Sequence, residues 1–281
     1  MPLGPVLFVF RGEPMLTDVR DTRLWVEDSG GDDRPVVCFS HGLLWSSDMY
    51  RPQIEALRGS YRCIAWDHRG QGRSDVPAGD EVSIETCTAD AIALIEQLGT
   101  GPVHFVGLSM GGFVGMRVAA RRPELVRSLA LLETAADPEP TANVGKYKRL
   151  NLAARWLGVP GWLARKVLPI MFADSFLHDP ERTGEVRAMA RGLRANDNTI
   201  YKAVNGVIRR ESCAHELAAI RCPTLVLRGT EDKAIARERA YAVVEAIEGA
   251  TWVEVPGAGH TSTLEQPEAV TAALRDHLAA S

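Results

Sequence analysis

No stretch of this 281-residue sequence approaches the roughly 18 consecutive apolar residues that a membrane helix needs, so no membrane partner is expected. An excess of one charge is missing too. Lys and Arg total 32 against 36 Asp and Glu, a net charge of −4, and no strongly basic stretch marks a nucleic-acid footprint. Cysteine is sparse: Cys38, Cys63, Cys87, Cys213 and Cys222. The number is odd, no pair has Cys-x-x-Cys spacing, and no two resemble a metal half-site. Cys38 and Cys63 sit inside apolar runs, which predicts free buried thiols in a reducing compartment. The opening MPLGPVLFVF has no early positive charge, and its apolar run, Val6 to Phe10, is too short for a signal-peptide core. Together these absences predict a cytoplasmic protein. Repeats and low-complexity segments are also lacking. What remains is ordinary globular composition, 46 % hydrophobic and 24 % charged, ample for one large α/β domain or two small ones. Homo-oligomer formation is left open.

What is present is a rhythm. Short apolar runs read as strands at Arg23 to Val26, Pro35 to Ser40, Tyr61 to Trp66, Val103 to Leu108, Leu125 to Leu132, Thr224 to Arg228 and Thr251 to Val255. PVVCFS is apolar throughout, as expected of a strand covered on both faces. Helical spacing recurs from Ser83 to Leu98, where Ile84, Cys87, Ala91, Leu94, Ile95 and Leu98 form one stripe. It recurs again at Gly111 to Arg121 and Leu264 to Leu278. Strand and helix in alternation predict βαβ crossovers and a mostly parallel sheet flanked by helices. Residues 137–217 break that rhythm. They hold helical stretches (Val144 to Leu157, Gly161 to Met171, Pro180 to Arg194, Thr199 to Arg210) and no convincing strand. The reading is an α/β core over 1–136 and 218–281, with 137–217 as a helical lid over the sheet's carboxyl edge.

Gly107-Leu108-Ser109-Met110-Gly111 matches G-x-S-x-G, directly after an apolar strand and directly before a helix. Such a turn exposes a serine hydroxyl at the sheet edge. Side chains two residues to either side would collide, hence the glycines. His260 follows the strand ending at Val255, on the small-residue loop Pro256-Gly257-Ala258-Gly259. That loop belongs at the carboxyl ends of the strands, where sites in open α/β sheets lie. Asp232 follows TLVLRG and would hold the imidazole in one tautomer. Glu133, after the fifth strand run, and the adjacent Glu231 are rival acids, although Glu231 should point the other way. The order Ser109, Asp232, His260 suits this fold. A tetrahedral intermediate needs two fixed backbone N–H donors. Met110 supplies one candidate, and Leu43 in Ser40-His41-Gly42-Leu43-Leu44-Trp45 the other, with Leu44 as the alternative.

These segments, with Asp67-His68-Arg69-Gly70-Gln71-Gly72-Arg73-Ser74, Gly229-Thr230-Glu231-Asp232 and Gly257-Ala258-Gly259-His260, resemble the α/β-hydrolase superfamily over nearly the whole core. DHRGQGRSD and GLSMGG look like the branch of 3-oxoadipate enol-lactonases and small carboxylesterases. The resemblance implies the α/β-hydrolase fold, a lidded pocket, no cofactor, and a small-molecule ester or lactone as substrate. It also implies neither a haloalkane dehalogenase nor an epoxide hydrolase, which carry aspartate at the position of Ser109. Perhydrolase and C–C hydrolase chemistry share the elbow and stay open, as does a receptor-like protein with little turnover.

Three further readings concern the surroundings. Asp67 to Asp75 lacks the order of a phosphate loop. It reads as a solvated loop stitched by Asp67–Arg69 or Arg73–Asp75 pairs. Trp45 either lines the pocket as a substrate-binding residue or packs under the lid. Trp156, Trp162, Met171 and Phe172 read as lid-to-core packing, with the lid's Lys and Arg residues on a wet outer face.

Overall fold

The computed structural model describes residues 14–31 and 33–281; the Val6 to Phe10 run lies outside them. Eight strands form one sheet: β1 (Met15–Val19), β2 (Thr22–Asp28), β3 (Val36–Ser40), β4 (Arg62–Trp66), β5 (Val103–Leu108), β6 (Val126–Leu132), β7 (Thr224–Gly229) and β8 (Thr251–Val255). Their order is β1-β2-β4-β3-β5-β6-β7-β8. The two pairings of β2 are antiparallel and all others parallel. β3, β5 and β7 are buried at every residue, which is why they read as unbroken apolar runs.

The helices are α1 (Arg51–Leu57), α2 (Ile84–Leu98), α3 (Met110–Arg121), α4 (Thr141–Leu157), α5 (Gly161–Met171), α6 (Asp174–Leu177), α7 (Thr183–Arg194), α8 (Tyr201–Ile208), α9 (Arg237–Ala246), α10 (Ser262–Glu265) and α11 (Pro267–Ala279). Alternate residues of each inner strand face opposite cores. Val37 and Phe39 of β3 pack with Ile54 of α1 and Leu274 of α11, while Val36 and Cys38 pack with Leu94 of α2 and Val114 of α3. Five helices, α4 to α8, lie between β6 and β7, and among the described residues no strand interrupts them. Leu163, Met171, Phe172 and Leu193 from this insertion extend the α1/α11 core. Among the described residues no helix is long and apolar enough to cross a membrane.

Three elements are less legible in sequence for physical reasons. Strand β1 is an edge strand whose Met15 is 61 % exposed, so burial leaves little pattern. Helix α9 buries only Ala240 and Val243. The single helix expected over Leu264 to Leu278 is two, because Pro267 restricts Gln266 to non-helical backbone (φ −134°, ψ 59°) and starts α11 afresh.

The expectation of a solvated Asp67 to Asp75 loop is corrected. Asp67 is fully buried and accepts from Ser47 N (2.7 Å), Arg73 N (2.9 Å) and Arg73 Nε (2.9 Å). Arg69 is buried against Asp90 and also reaches Asp21 at 2.8 Å, and Asp75 pairs with Arg23. Asp67 is matched inside the loop by Arg73 and Arg69 by the distant Asp90, so Asp67 to Arg69 form a buried floor beneath the β3 loop while Gly72 and Arg73 stay at the surface.

Candidate active site

Each candidate side chain leaves the carboxyl end of a parallel strand. Ser109 follows β5 with φ 51° and ψ −108°, a left-handed backbone that a serine adopts only when the surroundings enforce it. The enforcement is close packing. A Cβ on Gly107 would lie 2.3 Å from Gly111 O, and one on Gly111 would lie 1.9 Å from Ser40 O. Ser109 N donates to Leu132 O, which ties the elbow to β6.

The structure brings Ser109, His260 and Asp232 together. Ser109 Oγ lies 2.9 Å from His260 Nε2, and His260 Nδ1 lies 3.0 and 3.1 Å from the two Asp232 carboxylate oxygens. All three residues are buried. The carboxylate is an acceptor, so the Nδ1 proton is donated to Asp232 and Nε2 is left to accept from the serine hydroxyl. Asp232 Oδ1 also accepts from Ala234 N and Ile235 N, which fixes its orientation. The rival acids lie elsewhere. Glu231 turns to Ser175, bonding its hydroxyl and its amide. Glu133 is fully buried and accepts from Gly229 N; burial first, then the charge of Asp232, pushes its carboxyl well above the usual range.

The two Leu43 and Leu44 amides are separated by Gln71, whose Oε1 accepts from Leu44 N at 2.9 Å. Leu43 N and Met110 N have no hydrogen-bond partner among the described residues and remain available as a donor pair. Gln71 Nε2 also touches Met110 Sδ at 3.4 Å, so one side chain braces both loops. His41 and His68 form the floor below. Nε2 of His41 accepts from His68 N, and Nε2 of His68 meets Ser40 Oγ at 2.9 Å. Burial lowers both imidazole pKa values, which keeps these rings neutral.

Sequence reasoning passed over Gln71 and Glu265. Glu265 accepts from Gly259 N and Thr261 N, the amides on either side of His260, and from Ala173 N in the insertion. Its spacing of five residues from His260 was the only available signal. Burial pushes its carboxyl from 4.5 up to about 7, against the pull of those three amides.

Ser109 and His260 face a cavity of about 140 Å³. Its walls come from Leu43, Leu44 and Phe113 of the core, and from Tyr147, Leu150, Leu163, Val167 and Val204 among residues of the insertion. Trp45 is not among them. Its ring packs edge-on against Phe172 at 5.8 Å and borders a separate groove beside α7. Met171 and Phe172 are buried, whereas Trp156 and Trp162 are exposed, so lid-to-core packing holds for the first two only.

A family model described as the alpha/beta hydrolase fold matches residues 35–267. The chain belongs to the alpha/beta hydrolase family. As a member it is a hydrolase. It is 27 % identical to RutD of Stutzerimonas stutzeri, named as a candidate carbamate hydrolase, over 88 % of this chain and 92 % of that protein. Among solved structures, the enol-lactonase from Burkholderia xenovorans LB400 superposes with a TM-score of 0.85 at 29 % identity, covering 93 % of this chain and 98 % of the other. A thermophilic esterase from Thermogutta terrifontis superposes with a TM-score of 0.83 at 30 % identity, covering 94 % and 97 %.

Proposed function

We propose that this hydrolase cleaves a small carboxylic ester or lactone through an acyl-enzyme on Ser109. The observation that carries the reading is the linked set Ser109 Oγ–His260 Nε2 (2.9 Å) and His260 Nδ1–Asp232 (3.0 Å), opening on a small apolar cavity. His260 takes the hydroxyl proton as Ser109 attacks the carbonyl carbon, and Asp232 stabilises the imidazolium that results. Negative charge on the carbonyl oxygen is received by the Leu43 and Met110 amides. His260 then returns the proton to the leaving oxygen. Water repeats the cycle on the acyl-enzyme and releases the acid.

Residues 137–217 act in this reading as a lid that supplies pocket walls and excludes water. Cytoplasmic residence suits the five cysteines, none of which is in a disulfide. A cavity near 150 Å³ holds a benzene-sized molecule, so the acyl group is small. The similarity to an enol-lactonase and an esterase points the same way. Carbamates are a second substrate class, favoured by the likeness to RutD, because the same attack on an sp² carbon serves them.

The test is a series of p-nitrophenyl esters from acetate to palmitate below the micelle threshold, with a lactone and a carbamate alongside. The kcat/KM optimum is expected at about two to six acyl carbons, given a pocket of this class. An optimum at twelve carbons or more, or a jump in rate at micelle formation, would refute it. A fluorophosphonate is expected to add one label, on Ser109.

A further inference from the structure

The cavity that Ser109 lines is mainly apolar, but Arg210 also lines it, with its guanidinium carbon over the Phe113 ring at 4.2 Å from the centroid. Phe113 is the residue whose amide bonds Ser109 O, one helical turn along α3. The Arg210 and Glu139 side chains are 2 % and 7 % exposed and are joined by one bond, Arg210 Nη1 to Glu139 Oε2 at 3.1 Å. Nη1 also donates to Val207 O. Nε and Nη2 are buried and have no partner among the described residues. These two nitrogens share one edge of the guanidinium, so a buried residue of the cavity's lining carries a pair of donors with no acceptor among the described residues. A buried donor without an acceptor is costly, and native structures fill such positions.

The geometry points to Arg210 as a specificity-determining residue that takes a neutral carbonyl oxygen, of a keto or amide group, on the acyl part of the substrate. This deepens the ester or lactone reading and rests on it for the position of the scissile bond. Neutrality follows from the charges already present. Glu139 offsets Arg210, and Asp137 offsets Arg239 at 2.8 Å beside it. Asn151 also lines the cavity. Its amide nitrogen is committed to Tyr201 O and Asn205 Oδ1, which leaves its buried Oδ1 without a donor. A substrate carboxylate would therefore meet two sets of lone pairs, on Glu139 and Asn151, and would enter as an uncompensated buried charge. A keto oxygen satisfies the donors without that charge, and an amide adds an N–H for Asn151. Arg210 and Ser109 line the same cavity, so the acceptor belongs on the acyl chain at a distance from the scissile carbonyl, and a 5-oxo group serves as the probe.

The test compares three methyl esters of matched length: hexanoate, 5-oxohexanoate and the glutarate monoester. Acid release is followed by pH-stat. For the native protein kcat/KM is expected to be about tenfold higher for the keto ester than for the alkyl ester, the scale of one hydrogen bond to a charged donor. In Arg210→Met combined with Glu139→Gln, which leaves no unpaired charge, that ratio is expected to fall to about one. Arg210→Lys retains the charge but loses the paired edge, and provides the same ratio if the double variant does not fold. A native ratio near one, or a ratio unchanged in both variants, overturns the assignment. A glutarate monoester that outpaces the keto ester overturns the neutral group in favour of a carboxylate. Calorimetric titration of the three esters into Ser109→Ala protein reads the subsite without turnover, and equal affinities for the keto and alkyl esters overturn it there. Absence of both turnover and fluorophosphonate labelling, with the keto preference intact in that titration, refutes the hydrolytic reading and leaves the subsite standing.

Discussion

The carboxyl edge of the sheet and the five-helix insertion above it meet at one cavity but are built differently. At the edge, Ser109, Asp232, His260 and Leu43 each follow a different strand, and backbone amides hold Asp232 directly and the His260 loop through Glu265. In the insertion, α4, α5 and α8 contribute mainly apolar walls. The difference separates two tasks. Geometry for bond making rests on strands that cannot shift, and the shape that selects a substrate rests on helices whose residues can change without disturbing the strands.

Substitutions at the edge should lower the rate for every substrate alike. Ser109→Ala is expected to cost about 10⁴-fold or more in kcat with the fold intact by circular dichroism. A near-native rate would remove Ser109 from the chemistry. Asp232→Asn is expected to cost about 10³- to 10⁴-fold, because the favoured imidazole tautomer changes. Glu133→Gln, which removes a carboxyl not bonded to His260, should cost far less. The reverse ranking in steady-state kinetics would move the acid to the end of β6. Gln71→Leu frees Leu44 N and loosens the two amide loops; a loss of about 10- to 100-fold in kcat is expected, below the cost of a whole oxyanion donor, with KM little changed. An equal rise in KM would mean that Gln71 acts on binding instead.

Substitutions in the insertion should reorder substrates. Leu163 is 2 % exposed and lines the cavity. Leu163→Ala is expected to move the acyl-chain optimum to longer esters and to cost about 2–5 kcal/mol of stability in urea denaturation. A uniform fall in rate across chain lengths would contradict the division of tasks. The smallest effect concerns pH. Glu265 keeps its proton up to about 7 in the folded chain against 4.5 for an ordinary glutamate. Between those values the folded state binds more protons than the unfolded one, so this group's contribution to stability is full below 4.5 and is lost as pH rises through about 7. Glu265→Gln should flatten that part of the Tm-against-pH curve, and an unchanged slope would show that Glu265 titrates normally.

Legibility in the sequence depended instead on whether a residue's role is set by its neighbours in the chain. The elbow could be read because steric demand writes itself as Gly107 and Gly111, and the parallel strands because burial on both faces leaves runs such as VVCFS. Gln71 carried no such mark. Its role depends on lying beside Leu44, 27 positions earlier, and only the fold supplies that neighbour. The Asp67 to Asp75 loop misled for a related reason: charge density suggests solvent, yet Asp67 is buried between Arg73 and the Ser47 amide, and Arg69 against Asp90. Arg210 was absorbed into a helical pattern ending at that residue, and nothing local distinguishes a buried guanidinium on an aromatic ring from a wet one.

The segment Met171 to Ala173, where the insertion leaves α5, is fastened to the loop that carries His260. Thr261 Oγ1 donates to Met171 O at 2.9 Å, Ala173 N donates to Glu265, and a Cβ on Gly259 would lie 2.3 Å from Ala173 N. This seam makes the insertion an asymmetric cover. Lifting it along α5 would break the bond from Ala173 N to Glu265, the same carboxyl that holds the Gly259 and Thr261 amides on either side of His260. On the proposed reading, any displacement of this seam is felt at the imidazole, so the fit of the insertion and the alignment of the base are mechanically coupled.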